Sequence, residues 1–258
     1  MTAALRPLSL GEILDTSFQV YRRHFAALVP VMLICYGPTV LIDVYVGTAG
    51  GTPAHLLLRL VATLAAIVLG AIGTGATVFI ISEGYMGRSI DGREALQRAT
   101  PFVGRLVLAS FAFGLLAGIG TLFFIIPGII IACGMVLCWP AIVAESLPTA
   151  DAGLRRSWEL TKGSRGRVFL LFLLLALVFM VPVVGIATLL ALVVGLVEGA
   201  SGGALPTATA VITELGVGAV ELLIYPFFNC ALTIMYYDLR VRREGLDLEL
   251  LATSLKIA

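Results

Sequence analysis

The stretch LVLASFAFGLLAGIGTLFFIIPGIIIACGMVLCWPAIVA, Leu106–Ala144, runs for 39 residues without one charged side chain. As a single α-helix it would be about 58 Å long, against a hydrocarbon core of roughly 30 Å. Pro127-Gly128 lies near its middle, a helix stop followed by a flexible turn residue. The expectation is two passes joined by a tight hairpin, spanning about 106–126 and 128–144.

That choice sets the parity of the whole chain. With two passes here, further apolar runs at about 26–46, 60–82, 168–197 and 215–237 make six spans. Of the 17 Lys and Arg residues, 16 then fall on one side, and only Arg59 falls toward the other. A single pass would put the Arg88–Arg105 and Arg155–Arg167 clusters on opposite faces, and the positive-inside bias would collapse. Both termini are therefore expected in the cytoplasm.

Composition agrees. Hydrophobic residues make up 59% of the chain and charged residues 13%. That is about half the charge of a soluble domain, too little to cover an aqueous surface. The class is all-α, an integral membrane bundle of six transmembrane helices, expected in a bacterial cytoplasmic (inner) membrane. Glu12, Asp15, Arg22 and Arg23 interrupt the start of the chain, so no cleavable signal peptide is expected. The four cysteines, Cys35, Cys133, Cys138 and Cys230, lie in apolar runs without metal-ligand spacing, which fits packing rather than a disulfide framework or zinc.

Three short polar segments precede the hairpins: LSLGEILDTSFQVYRRHF, GREALQRATPFVGRLV and TADAGLRRSWELTKGSRGRVF. In the first, Ser9 and Glu12 form a capping-box pattern, with Leu10, Ile13, Leu14, Phe18 and Tyr21 at helical spacing. In the second, Glu94 and Arg98 are four apart and Pro101 ends the helix. In the third, Ala150, Leu154 and Trp158 line one face and Asp151, Arg155 and Glu159 another. One unit used three times, an amphipathic helix followed by a membrane hairpin, accounts for the order. One-sided apolar faces flanked by arginine suit cytoplasmic helices lying in the interface plane. The alternative is soluble helices packed only on one another.

The last span leaves the membrane in IMYYDLRVRREGLDLELL, Ile234–Leu251. Tyr236 and Tyr237 are expected at the headgroups. Asp238 with Arg242 and Arg240 with Glu244 are spaced to pair if the helix runs on to a stop at Gly245. Acids alternate with bases, so no nucleic-acid face forms. The basic and aromatic residues Arg22, Arg23, Arg155, Arg156, Trp158, Arg165, Arg167, Arg240, Arg242 and Arg243 are candidates for binding anionic lipid headgroups on the cytoplasmic side.

Inside the membrane, Glu221 is the leading candidate for function, with Tyr225 and Asn229 near the same face and Glu214 two turns earlier. Two readings stand: a proton- or headgroup-binding site facing the bundle interior, or a single interhelical hydrogen bond. Asp43 and Arg59 are close enough in topology to pair, and His24 and His55 are isolated near span boundaries. Pro30, Pro38, Pro140, Pro182 and Pro226 are expected to kink their spans. Small residues repeat every four positions at Ser110, Gly114 and Gly118, at Ala71 and Gly75, and at Gly195 and Gly199, where close helix contact or an oligomer is expected. No Walker A, HExxH or GxSxG constellation appears, so neither catalysis nor a cofactor or metal is expected.

LGEILDTSFQVYRRHF (Leu10–Phe25), GLRRSWELTKGSRGRVF (Gly153–Phe169) and YYDLRVRREGLDLE (Tyr236–Glu249) resemble the membrane-domain family named after bacterial glycerophosphoryl diester phosphodiesterases. The resemblance implies an integral helical bundle that sometimes carries a soluble phosphodiesterase barrel and often stands alone. It implies ligands or partners linked to glycerophospholipid metabolism and carries no catalytic residues across. A barrel needs about 250 residues of its own, and the 258 here are taken up by spans and connections. The expected role is a non-catalytic scaffold or accessory module in lipid or envelope processes, with the bilayer and a membrane-protein partner or second copy as partners. The alternative is a transporter or lipid-handling protein using the buried acid of the sixth span.

Overall fold

Each of the three polar segments forms a helix that begins at a side chain accepting a hydrogen bond from an otherwise orphaned backbone N–H of its first turn. Ser9 accepts from the Glu12 N–H while Glu12 reaches back to the Ser9 N–H, completing the capping box; Asp91 accepts from Gly92 N–H, and Thr149 from Ala152 N–H. A computed structural model describes residues 6–48, 53–201 and 206–246. Among them the helices are α1 Leu10–Arg23, α2 Phe25–Thr48, α3 Pro53–Tyr85, α4 Gly92–Ala99, α5 Val103–Phe123, α6 Ile125–Met135, α7 Cys138–Ala144, α8 Ala150–Thr161, α9 Arg165–Ser201 and α10 Pro206–Glu244. A 3-10 turn at Thr100–Phe102 links α4 to α5, with Pro101 inside it. Six helical stretches are long and apolar enough to cross a membrane.

The hairpin in the deciding stretch turns earlier than expected. Phe124 is extended (φ −156°, ψ 136°), so α5 stops at Phe123 and α6 starts at Ile125. Pro127 sits in the first turn of α6, where its missing N–H costs nothing because that position has no intrahelical acceptor. Gly128 then donates to the Phe124 carbonyl at 3.3 Å as α6 begins. Gly128 is there for contact: a Cβ on it would lie 2.1 Å from Thr121 Oγ1 and 2.7 Å from the Thr121 backbone. Length alone did not force the break, since α9 has 37 residues and α10 has 39 and neither breaks. Nor did proline alone, since Pro226 lies inside α10 and Pro30 and Pro38 inside α2; the chain breaks where Phe124 is extended.

The second return helix is itself broken, between α6 and α7. Ser157 of α8 donates to the Gly134 carbonyl (2.8 Å) and accepts from the Leu137 N–H (3.1 Å), while Thr161 also donates to Gly134 O (3.0 Å). The backbone groups freed by the break thus find partners inside the protein, which is the condition for irregular backbone at membrane depth. Gly134 lets α8 close in, because a Cβ there would lie 2.5 Å from the Trp158 ring.

The long helices pair as α2 with α3, α5 with α6 and α9 with α10; α10 also packs along α2, α3 against α5, and α6 against α9. Each short helix lies on the helix that precedes it in that ring: α4 on α3, α8 on α6 and α7, α1 on α10. The apolar faces of the short helices are therefore covered by spans. On α1 the covered residues are Ile13, Ser17 and Val20, while Phe18 stays 53% exposed at the edge, touching Phe227 edge-on. On α8, Leu154, Ser157 and Leu160 are buried and Asp151, Arg155 and Glu159 are exposed.

Candidate functional site

The end of the bundle that carries the short helices is laced by three acids. Each stands at or just past the end of a span and ties it to the short segment that follows around the ring. Glu83, near the end of α3, takes Arg98 of α4 at 3.2 Å, and Arg98 also holds Glu94. Glu145, just past α7, takes Arg156 of α8 at 2.8 Å and the Tyr236 hydroxyl at 2.6 Å. Asp238 of α10, whose side chain is fully buried, accepts the Leu8 N–H at 2.7 Å and pairs with Arg167 and Arg242 at 3.0 Å each. Arg167 and Arg242 both donate onward to the Leu8 carbonyl.

Five of the nine proposed headgroup arginines, Arg156, Arg167, Arg240, Arg242 and Arg243, are spent inside the fold. Arg156 bridges Glu145 and Glu244, a pairing that raises its already high pKa; Arg240 lies on Glu244 at 3.0 Å; Arg243 donates to the Glu159 carbonyl. Arg165 lies over the Trp158 ring, 3.7 Å from its centroid, and Arg155 pairs with Asp151 along α8. Arg22 and Arg23 remain exposed in the last turn of α1. The sequence spacing found Asp238–Arg242, Arg240–Glu244, Glu94–Arg98 and the stop at Gly245, where φ is +63°. It missed Glu83 and Glu145 as tie points, because their partners lie on other helices.

The tyrosines at the end of α10 are not a headgroup belt. Tyr236 is fully buried and Tyr237 is 7% exposed, its ring stacked on Tyr85 at 5.5 Å. Tyr85 of α3 and Glu145 just past α7 take up the rings that were expected to be exposed.

Farther along α10 the bundle opens. A cavity of about 390 Å³ lies between α2, α3, α5, α7 and α10, so all three hairpins contribute to its wall. Tyr225 and Asn229 line it together, as their spacing of four predicts, with Tyr36, Thr63, Thr74, Ser110 and Trp139. Asn229 is 8% exposed, and its Nδ2 finds no acceptor within the protein. Ser110 accepts from Trp139 Nε1 at 2.9 Å, which leaves the serine proton to be given elsewhere. Tyr36 and Tyr225 stack at 5.3 Å, and Gly73 lets Tyr36 approach α3, since a Cβ there would lie 3.2 Å from the ring. The site begins where the fully buried stretch of α10 ends, beside Cys230, and Tyr225 and Asn229 lie about 12–18 Å from Tyr237 along the helix axis.

Glu214 lies on α10 about 22 Å from Asn229 and is not part of this wall. Glu221 lies in α10 one turn from Tyr225; its side chain, like those of Asp43, His55 and Pro182, falls outside the described set. The small-residue stripes are only partly used. Gly75 would meet Ala99 and Leu106 through a Cβ, but Gly114, Gly118, Gly195 and Gly199 face open space. The tight crossing is instead at Gly120 and Gly128, which repeat on opposite strands of the hairpin where a single-helix spacing rule does not look.

A second, wholly apolar hollow of about 240 Å³ adjoins the first, between α9 and α10, lined by Val183, Ala187, Leu190, Val217 and Val220; Tyr225 belongs to both walls. No family model matches the chain, and neither a curated protein nor a solved structure does.

Proposed function

We propose that the chain is a non-catalytic accessory module of the bacterial cytoplasmic membrane that binds a lipid inside its bundle, in the service of lipid or envelope processes. The observation that carries this reading is the largely apolar cavity into which the unpartnered Asn229 amide and a few hydroxyls are set. A buried donor without an acceptor costs about 1–3 kcal/mol, and a bound ligand oxygen removes that cost.

Three further points support the reading. The stretches quoted above resemble the phosphodiesterase-associated membrane-domain family, which implies a link to glycerophospholipids. The cyclic order in which each short helix lies on the previous hairpin, with an acid at each junction, is what a threefold repeat of helix plus hairpin would produce. The bias of arginine supports a cytoplasmic orientation for the laced end, with the exposed Arg22 and Arg23 toward anionic headgroups.

The test is native mass spectrometry of protein extracted with its surrounding lipids. The wild type is expected to retain a defined lipid that Asn229→Leu does not. Equal lipid retention by both proteins defeats the proposal. A second reading, transport driven by protonation of Glu221, rests on that acid lying one helical turn from Tyr225. Unchanged proton-coupled uptake by Glu221→Gln in proteoliposomes would remove it.

A further inference from the structure

Taking the lipid-binding reading as its basis, the geometry points to an uncharged glycerolipid, of the diacylglycerol type, as the ligand: its ester and hydroxyl oxygens in the cavity around Asn229 and Ser110, and an acyl chain in the hollow between α9 and α10.

The cavity offers hydrogen-bond donors and no counter-ion. Asn229 Nδ2 has no partner, and the Ser110 proton is left over after the hydroxyl accepts from Trp139. Such donors call for acceptor oxygens on the ligand. Among the described residues no Lys or Arg lines the wall, and the guanidiniums of Arg156, Arg167, Arg240 and Arg242 are committed to acids at the laced end. A phosphate brought here would lose its water without gaining a cation, a cost far above what neutral hydrogen bonds return. An ester carbonyl meets no such cost.

The shape selects between uncharged amphiphiles. A flat ring such as a quinone would call for a slot between aromatic faces, but Tyr36 and Tyr225 already stack on each other at 5.3 Å. A flexible oxygen-bearing group fits the remaining space. Tyr225 is the joint: it lines both the cavity that holds Asn229 and Ser110 and the apolar hollow walled by Leu190, Val217 and Val220. An amphiphile with a short neutral head and a long chain matches that succession.

The experiment reconstitutes the full chain in nanodiscs of phosphatidylcholine carrying equal small fractions of diacylglycerol, phosphatidylglycerol and a long-chain quinone, and identifies retained species by native mass spectrometry. Asn229→Leu and Ala187→Trp are compared with wild type; Ala187 is exposed, so the tryptophan fills the hollow without disturbing the core. The expected result is selective retention of diacylglycerol, reduced about tenfold by Asn229→Leu, the equivalent of one lost hydrogen bond, and reduced again by Ala187→Trp in a protein of unchanged melting temperature. Asn229-dependent retention of phosphatidylglycerol or quinone instead would overturn the ligand class and leave lipid binding standing. Retention of none of the three would overturn both.

Discussion

Replacing Asp238 by Asn tests the laced end with the smallest change of shape. The amide keeps an oxygen for the Leu8 N–H but removes the charge that Arg167 and Arg242 share. Breaking a fully buried ion pair costs about 3–5 kcal/mol. Here the acid is buried while the two arginines are 23% and 35% exposed, so water recovers part of the loss. The expected cost is about 2–3 kcal/mol, or a fall in melting temperature of roughly 5–10 °C in detergent. Asp238 also anchors the chain just before α1, so the loss should be local first. Limited trypsin digestion should cut sooner at Arg22-Arg23 in the variant than in the wild type. A double-mutant cycle with Arg167→Gln should return a coupling of at least about 1 kcal/mol. If Asp238→Asn melts within a degree of wild type and α1 is equally protected, the pairing contributes nothing and the reasoning fails.

Gly128→Ala should destabilise by about 1–3 kcal/mol, because the added methyl meets the Thr121 backbone as well as its hydroxyl, and the backbone cannot swing away; equal denaturation midpoints would argue against the tight crossing. Ser157→Val should cost about 1–3 kcal/mol, since it strips Leu137 N–H of its acceptor and removes one of the two donors to Gly134 O at the break between α6 and α7, whereas a neutral effect would mean the break satisfies itself. The Glu12 carboxylate is held down to about 2 by its hydrogen bond from Arg6 and then by the Ser9 N–H. With a depressed folded value, its stabilisation is present above the ordinary 4.5 and fades as pH falls toward 2. Helix α1 should therefore stay docked at pH 5 and loosen in that acid window, and Glu12→Gln should remove the dependence. His24 is driven the other way in charge: burial, then Arg23, lowers its pKa, so the folded protein resists protonating it. Stability should begin to fall as pH drops through the usual 6.5, and His24→Gln should flatten that slope.

What the sequence made legible followed from local rules. Capping at Ser9, the i,i+4 pairs at the end of α10 and the number of spans needed only spacing, charge and apolar length. The exit of α10 went astray because Tyr236 and Tyr237 were judged by their neighbours in sequence, and their burial beside Tyr85 of α3 and Glu145 past α7 is a property of the ring of helices. The deciding hairpin was found, but its turn fell at Phe124 because proline is tolerated in a helix's first turn and need not mark the break itself. In the cavity, Tyr225 and Asn229 were visible as a pair on one helix face. Tyr36, Thr63, Thr74 and Trp139 were not, since they come from three other helices, α2, α3 and α7, and none is costly enough in a membrane to call attention to itself.

The cavity also contains its own reporter. The chain has two tryptophans, and Trp139 lines the site with its indole bonded to Ser110. Trp158→Phe leaves Trp139 as the single emitter, and titrating diacylglycerol with brominated acyl chains into nanodiscs reads occupancy directly. The account predicts saturable quenching that unlabelled diacylglycerol reverses and Asn229→Leu abolishes. Quenching that rises linearly with bromolipid and is the same in both proteins would mean that the indole sees only bulk bilayer, and that no lipid site exists there.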